Sequence, residues 1–233
     1  MNYFVFGGKS SRYFGIYLKA PFVISEAVPS YEELVVPGRN GTLLIENHSF
    51  LNRSAEAECF VLRRDADKAL SEISQWLMRA GGYQRLELPD YPDSFFLARC
   101  ISAPRITSNR NGYVEFQLKF TCKPQRFLKT GERAIVVDDT DTVYNRHFDS
   151  KPLLTIHGTG ICAVGIGSTQ IRITDLEDYI TIDCETHNCY RQMENLNPFV
   201  TVPEFPSLVN GENEIYIDGG TTKLEIVPRW WTL

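Results

Sequence analysis

The chain has 233 residues, of which 43% are hydrophobic and 23% are charged, a composition that suits one large or two small globular domains. Its net charge of −5 argues against a general nucleic-acid-binding protein, which needs a cationic face for phosphates. No apolar run approaches the roughly 18 residues that span a bilayer, so we expect no membrane partner. The first ten residues, MNYFVFGGKS, lack a positive segment followed by an apolar one, so we expect no signal peptide.

Two strands joined by a tight loop are predicted by the stretch VVPGRNGTL, residues Val35–Leu43. Asn40-Gly41 is expected to supply the positive φ that such a loop needs, with Arg39 at its tip. On physical grounds this segment is a projecting arm.

Alternating apolar residues predict two half-buried strands, one in SAEAECFV and one in GYVEFQLKFTC. Between them, RDADKALSEISQWLMRAGG has a helical spacing, with Asp65 as the expected N-cap and Gly81-Gly82 as the end. Trp76 lies on the apolar stripe of this helix and is predicted to be a core residue. The apolar stripe comprises Ala66, Ala69, Leu70, Ile73, Trp76, Leu77 and Ala80.

Charge and turn-forming residues in LKTGERAIVVDDTDTVYNRHFDSKP indicate a boundary, although a strand at Ala134–Val137 blurs its position. We interpret the chain as two domains, residues 1–132 and 133–233. After the boundary, short apolar-alternating runs separated by turn residues favour an all-β sandwich. Because no signal peptide is expected, the cysteines are interpreted as free thiols. These are Cys59, Cys100, Cys122, Cys162, Cys184 and Cys189.

The chain ends in TTKLEIVPRWWTL, a strand-like run that carries Trp230 and Trp231 side by side. Exposed indoles at a free end would promote sticking, so the tail is either docked or a binding surface. In an extended backbone the two side chains point to opposite faces, so at most one packs inward on the same pleat. We expect one indole to be buried and the other to cover a domain or subunit contact.

Motifs for catalysis or cofactor binding are incomplete. Gly158-Thr-Gly160-Ile-Cys-Ala163 matches a dinucleotide fingerprint, but no helix pattern follows to hold a pyrophosphate, so a glycine-bearing hairpin is favoured. GGKS lacks the first glycine of a P-loop. The stretch CETHNC offers Cys184, His187 and Cys189, one ligand short of a structural zinc site, and a β-turn is favoured there.

Paired acids are the remaining catalytic candidates, at Glu32-Glu33, Asp138-Asp139 and Glu177-Asp178. All three pairs lie in loop-like, polar surroundings, whereas a glycosidase needs two carboxylates that converge in a cleft. No G-x-S-x-G elbow is present. We therefore predict no catalytic residue, no metal and no cofactor, and we rank a wall-degrading hydrolase below a structural role.

A family resemblance rests on the order of several segments. PGRNGTL is followed by a strand, by a helix containing ISQWL, and by LPDYPDSFFLAR at Leu88–Arg99, and the chain closes with NGENEIYIDGGTTKLEIVPRWWTL. In this order they resemble the distal tail (Dit) proteins of long-tailed phages and prophages of Gram-positive bacteria, over essentially the whole length. CETHNC and the doubled tryptophan depart from that pattern.

The resemblance implies a mainly β fold, with an N-terminal β-sandwich belt domain that has one helix and a projecting hairpin. The C-terminal domain is implied to be a galectin-like β-sandwich. The resemblance also makes the hairpin loop a candidate for an oligomer interface, through Pro37, Gly38, Arg39, Asn40 and Gly41. The implied function is a non-enzymatic, hexameric hub ring at the distal tail of the virion, assembled in the host cytoplasm. The implied partners are the tail tube, tape measure and tail-associated tip proteins and, in some phages, a receptor-binding protein. DNA would pass through the lumen without specific binding. The alternative is a carbohydrate-binding module that uses aromatic residues such as Tyr190, Trp230 and Trp231.

Overall fold

The computed structural model describes residues 3–62, 66–79, 81–110 and 112–233. Within these ranges the chain is mostly β-strand with a single α-helix, which confirms the predicted fold class. Two compact units are present, one up to Arg126 and one from Phe127 to Thr232. No helix in the described ranges is long and apolar enough to cross a membrane.

The first unit is built around one antiparallel sheet. Its strands run in the order β2-β1-β8-β9-β11-β7-β3, while β4 pairs with β7 and β10 pairs with β11. The strands β5 and β6 form a separate two-stranded sheet. The elements are β1 (Val5–Phe6), β2 (Lys9–Ser10), β3 (Ile16–Leu18), β4 (Val23–Ile24), β5 (Pro29–Val35), β6 (Thr42–Phe50), β7 (Arg53–Leu62), α1 (Ala66–Arg79), β8 (Gln84–Glu87), β9 (Ser94–Cys100), β10 (Arg105–Arg110) and β11 (Tyr113–Leu128).

The two strands predicted from alternation are neighbours in this sheet. β7 and β11 pair antiparallel from Leu62 opposite Tyr113 to Arg53 opposite Cys122. Alternate residues of both strands, from Ala55 to Val61 in β7 and from Val114 to Cys122 in β11, form one buried apolar face, as the period of two requires. The predicted alternation is therefore confirmed.

Helix α1 packs its apolar stripe onto the same core. Ile73 and Leu77 are each 1% exposed, and the Trp76 ring stacks on Phe14 with centroids 4.3 Å apart. The predicted helix is confirmed, and Trp76 packs against the core as expected but is half-buried rather than fully buried. The predicted N-cap, Asp65, lies outside the described residues. The helix ends at Arg79, and Gly82 has a φ of 76°.

The second unit is a strongly bent antiparallel sheet. Its strands run in the order β12-β20-β14-β16-β17-β18, with β13 against β20 and β15 against both β14 and β19. The elements are β12 (Ile135–Val137), β13 (Asp141–Asn145), β14 (Leu153–Ile166), β15 (Thr169–Leu176), β16 (Tyr179–Asp183), β17 (Asn188–Arg191), β18 (Glu194–Asn195), β19 (Val200–Thr201), β20 (Gly211–Val227) and β21 (Trp231–Thr232).

The long strands β14 and β20 run through both halves of this sheet and bend together. Leu153–His157 of β14 pair with β16, whereas Gly160–Ile166 pair with β15, and side chains from both halves share one core. The register of β14 on β20 shifts at Gly158 and again before Cys162. The predicted glycine-bearing hairpin at this point is wrong, because Gly158 and Gly160 lie in a bulge inside one continuous strand.

Glycine is required at this bend by close contact of the two backbones. A Cβ on Gly158 would lie 2.4 Å from the carbonyl oxygen of Gly220, and one on Gly220 would lie 1.9 Å from that of Thr159. The glycine spacing that resembles a nucleotide fingerprint is thus explained by the close approach of the paired backbones of β14 and β20.

The CETHNC segment forms the turn between β16 and β17, which confirms the predicted β-turn. Cys184 and Cys189 are buried, and burial raises the pKa of their thiols to about 12 and about 11. All six cysteines are described, and all are free thiols.

Candidate functional site

The most unusual surface of the first unit is the hairpin formed by β5 and β6, Pro29–Phe50, which we call the arm. Every residue from Tyr31 to Ser49 is exposed except Val36, which is half-buried. Its strands pair only with each other, from Pro29 opposite Phe50 to Val35 opposite Thr42. The arm therefore has two open faces and no core of its own.

Both faces of the arm are rich in apolar side chains. The pairing of Leu34 with Leu43 and of Glu32 with Ile45 places three aliphatic side chains on one face. Leu34, Leu43 and Ile45 are 47%, 38% and 44% exposed. The other face carries Tyr31, Val35 and Leu44, with exposures of 50%, 74% and 57%. These residues were not predicted from the sequence, although TLLIEN contains the signal, because consecutive apolar residues on a strand occupy both of its faces.

The turn of the arm holds the five residues predicted as an interface, Pro37, Gly38, Arg39, Asn40 and Gly41, all of which are exposed. The Arg39 N–H donates to the Val36 carbonyl at 3.1 Å. Positive φ angles of 81° occur at Gly38 and at Gly41. The expectation that Asn40 would share this role is wrong, because the longer turn places its left-handed residues at the two glycines.

A two-stranded hairpin exposed on both faces is marginally stable in water by itself. Large apolar side chains that are clustered and exposed also mark sites of protein contact. The arm is therefore built to pack against a surface that it does not find in its own strands.

The C-terminal tail of the second unit is docked. The Leu128 N–H donates to the Trp230 carbonyl at 2.8 Å, and the Arg229 N–H donates to the Gly131 carbonyl at 2.8 Å. The Trp230 side chain packs against the core of this unit. A Cβ on Gly131 would lie 2.2 Å from the Trp230 nitrogen, so the tail fits tightly against the backbone there.

Trp231 packs on the segment that precedes β14. Its ring stacks on Phe148 with centroids 4.6 Å apart and an interplanar angle of 13°. Its Nε1–H donates to the carbonyl oxygen of Asp149 at 3.0 Å. Both tryptophans therefore have partners within the second unit, and each remains partly exposed.

An ion pair holds the backbone just before these tryptophans. Arg229, which has a φ of 55°, donates from both terminal nitrogens to Asp183, at 2.7 Å and 3.1 Å. Burial alone would raise the pKa of Asp183. The guanidinium and the N–H groups of Glu185 and Thr186 outweigh burial and hold this pKa below its ordinary value of 3.8.

Replacing Asp183 by asparagine is expected to lower the free energy of unfolding by about 2 kcal/mol at neutral pH, the range for a hydrogen bond to a charged group. Because the folded-state pKa is depressed, this contribution is present above pH 3.8 and disappears as pH falls through the folded value. Thermal unfolding between pH 7 and pH 2.5 should therefore show the wild type and Asp183→Asn converging in acid. The exposed Asp139→Asn is the control, and a difference that persists at low pH would contradict the ion-pair account.

The residues considered for chemistry do not form a catalytic or metal site in the described ranges. His187 stacks on Phe205 with centroids 4.7 Å apart, and no group of three potential metal ligands is found there. The three acid pairs of the sequence are all exposed. A cavity of about 850 Å³ in the first unit is lined by aromatic and basic side chains, among them Trp76, Phe14, Lys9 and Arg79. Glu72 is the one carboxylate among its lining residues.

No protein-family model and no curated protein matches the sequence. Among solved structures, the crystal structure of the Dit protein of phage SPP1 aligns with a TM-score of 0.69 at 11% identity, covering 97% of this chain and 98% of that one. The chain has the fold of a phage Dit protein. At the level of fold, this confirms the resemblance inferred from the segment order. The SPP1 protein is described as a paradigm of hub adsorption apparatus in phages that infect Gram-positive bacteria.

Proposed function

We propose that the protein is a structural component of a phage tail, a hub ring of six copies that joins the tail tube to the tail tip or baseplate. In this proposal residues 1–132 are the ring-forming belt domain, and residues 133–233 are a galectin-like sandwich domain. The role is mechanical and needs no catalytic group.

The observation that carries the proposal is the arm. A hairpin with aliphatic side chains on both faces gains stability only when another surface covers it. A ring of identical subunits supplies that surface by a head-to-tail interface, in which the arm of each copy packs against the next copy. The Dit-like fold supports the same role, because the SPP1 protein that shares it is a hub component.

The partners follow from a position at the distal end of the tail. We propose that the ring contacts the tail tube, tape measure and tail-associated tip proteins and, where present, a receptor-binding protein. The ring would be assembled in the host cytoplasm and retained in the virion. The net charge of −5 suits a channel through which DNA must slide without binding.

The native mass of the purified full chain tests the proposal. Light scattering behind size-exclusion chromatography should give the mass of six copies at micromolar concentration. A chain that stays monomeric as its concentration rises would refute it.

A carbohydrate-binding role for the second unit is the alternative. A saccharide platform needs an indole face open to the sugar and flanked by polar groups. Trp231 has one face on Phe148 and its N–H on Asp149, so its contacts favour docking over sugar binding. Binding of the wild type to a glycan array that is lost in Trp231→Ala would support the alternative. The absence of binding to any glycan on the array would exclude a carbohydrate-binding role.

A further inference from the structure

Two arginines of the first unit lie on the core-facing side of its sheet. Arg53 begins β7 directly opposite Cys122 of β11, on the same face as the buried Ala55. Arg126 continues the alternation of Cys122 and Pro124 along β11, also on that face. Positions that elsewhere in these strands carry apolar side chains therefore carry positive charges at this end of the sheet.

An aromatic pair brings the two guanidinium groups to one site. The Cζ atom of Arg53 lies 5.9 Å from the centroid of the Phe96 ring, and that of Arg126 lies 5.1 Å from the Tyr91 ring. The Tyr91 and Phe96 rings contact each other edge to face, with centroids 5.6 Å apart. The two cations thus border the same small aromatic cluster.

These cations have no counter-charge among the described residues. Arg53 is 8% exposed, and the Nε atoms of both arginines are buried without a hydrogen-bond partner. Neither side chain forms an ion pair with a described acid. The ring faces attract the positive charge, but they give no acceptor to the N–H groups in the plane of the guanidinium.

The electrostatics of the site are unfavourable as it stands. Burial lowers the pKa of Arg53, and the charge of Arg126 lowers it further. Buried charges in proteins are paired or bind ions, because removing them from water without compensation is costly. Two neighbouring cations whose buried Nε–H groups have no acceptor form an arrangement suited to binding an anion.

We propose that Arg53 and Arg126 together bind one small oxyanion of the phosphate or carboxylate class. The planar guanidinium fork matches the oxygens of such a group, and the charge of the oxyanion offsets both cations at once. The low exposure of Arg53 restricts the occupant to a small group. That group is either a free inorganic anion or a single acidic side chain presented by another copy of this chain. This inference does not rest on the proposed hub function.

The test is the melting temperature of the full chain in sodium phosphate and in sodium chloride at equal ionic strength. A ligand that binds only the folded state raises this temperature, and we expect a rise of about 3 °C or more at saturating phosphate. The rise should disappear in Arg53→Gln and in Arg126→Gln and persist in the control Lys9→Gln. Arg53→Lys keeps the charge but loses the fork, so its apparent phosphate affinity should fall about tenfold or more.

If the arginines had only a structural role, the glutamine variants would have a melting temperature lowered by the same amount in both salts. Wild-type melting temperatures and native masses that are both the same in phosphate and in chloride, or a phosphate effect that survives in both glutamine variants, would overturn the proposal. Should the variants fail to fold, titration calorimetry of phosphate into the wild type decides, and no detectable heat of binding overturns it. Native mass in saturating phosphate separates the two sources. If phosphate dissociates the oligomer, the occupant of the site is an acidic side chain of another copy. If the native mass is unchanged, the occupant is a free anion.

Discussion

Replacing both Leu34 and Ile45 of the arm by aspartate is expected to convert the proposed ring into monomers while both units stay folded. These side chains share one open face of the hairpin, where they are 47% and 44% exposed in the isolated chain. Fully burying an exposed aliphatic side chain contributes about 1.5–3 kcal/mol, so covering the exposed half of each of these side chains contributes on the order of 1 kcal/mol. An unpaired carboxylate at the same place opposes association instead. The loss recurs at every interface of the ring.

Native mass is the measurement, with Met193→Asp as the matched control. Met193 lies outside the arm and is fully exposed at 101%, so an aspartate there should leave the mass unchanged. Because exposed substitutions change stability by about 0.5 kcal/mol or less, the melting temperature of the double variant should stay close to that of a dilute, dissociated wild type. A double variant that still forms the wild-type oligomer would exclude the arm as the main interface.

The second large effect is expected from Gly220→Ala at the bend of the second unit. The new Cβ would lie 1.9 Å from the carbonyl oxygen of Thr159 and 3.3 Å from that of Ile161. Both obstacles are backbone atoms of the paired strand β14, so no side-chain rotation relieves the overlap. Overpacking usually costs about 1–3 kcal/mol, and a clash with paired backbone belongs at or above the upper end of that range.

Chemical unfolding followed by circular dichroism measures this loss. Gly81→Ala is the control, since its Cβ would meet nothing within 4 Å. The control should change the free energy of unfolding by about 0.5 kcal/mol or less. Equal free energies of unfolding for the two variants would mean that the paired backbones of β14 and β20 do not approach each other as closely as described.

Local pattern was sufficient to predict much of the first unit. The alternation in β7 and β11 and the helical stripe around Trp76 each have a period that belongs to one kind of element. Those elements are present with the expected buried faces. The turn at CETHNC was predictable for a similar reason, because it interrupts two alternating runs.

The bend in the second unit was not predictable from alternation. LLTIHG and CAVGIG read as two strands because glycines separate them, yet both belong to β14. A bulge differs from a hairpin here in which strands pair with the two parts of β14, before and after the glycines. Those partners, β15, β16 and β20, lie outside the short stretch in which alternation is visible.

The candidate site residues also depend on strand pairing that a short stretch of sequence does not reveal. The turn composition at Gly38–Gly41 predicted a hairpin, and TLLIEN indicates apolar side chains on both of its faces. Whether another strand covers Leu34 and Ile45 is not encoded in that local pattern. Arg53 and Arg126 are far apart in sequence, and only the pairing of β7 with β11 places both on the same face. The SPP1 Dit structure shares this fold at only 11% sequence identity.

Electron microscopy of the purified, negatively stained full chain tests the central claim most directly. The account predicts closed rings with six-fold symmetry around an open central channel, and the loss of those rings in the Leu34→Asp, Ile45→Asp double variant. Fields of single compact particles at concentrations where other tail components assemble, or open filaments without closure, would contradict it.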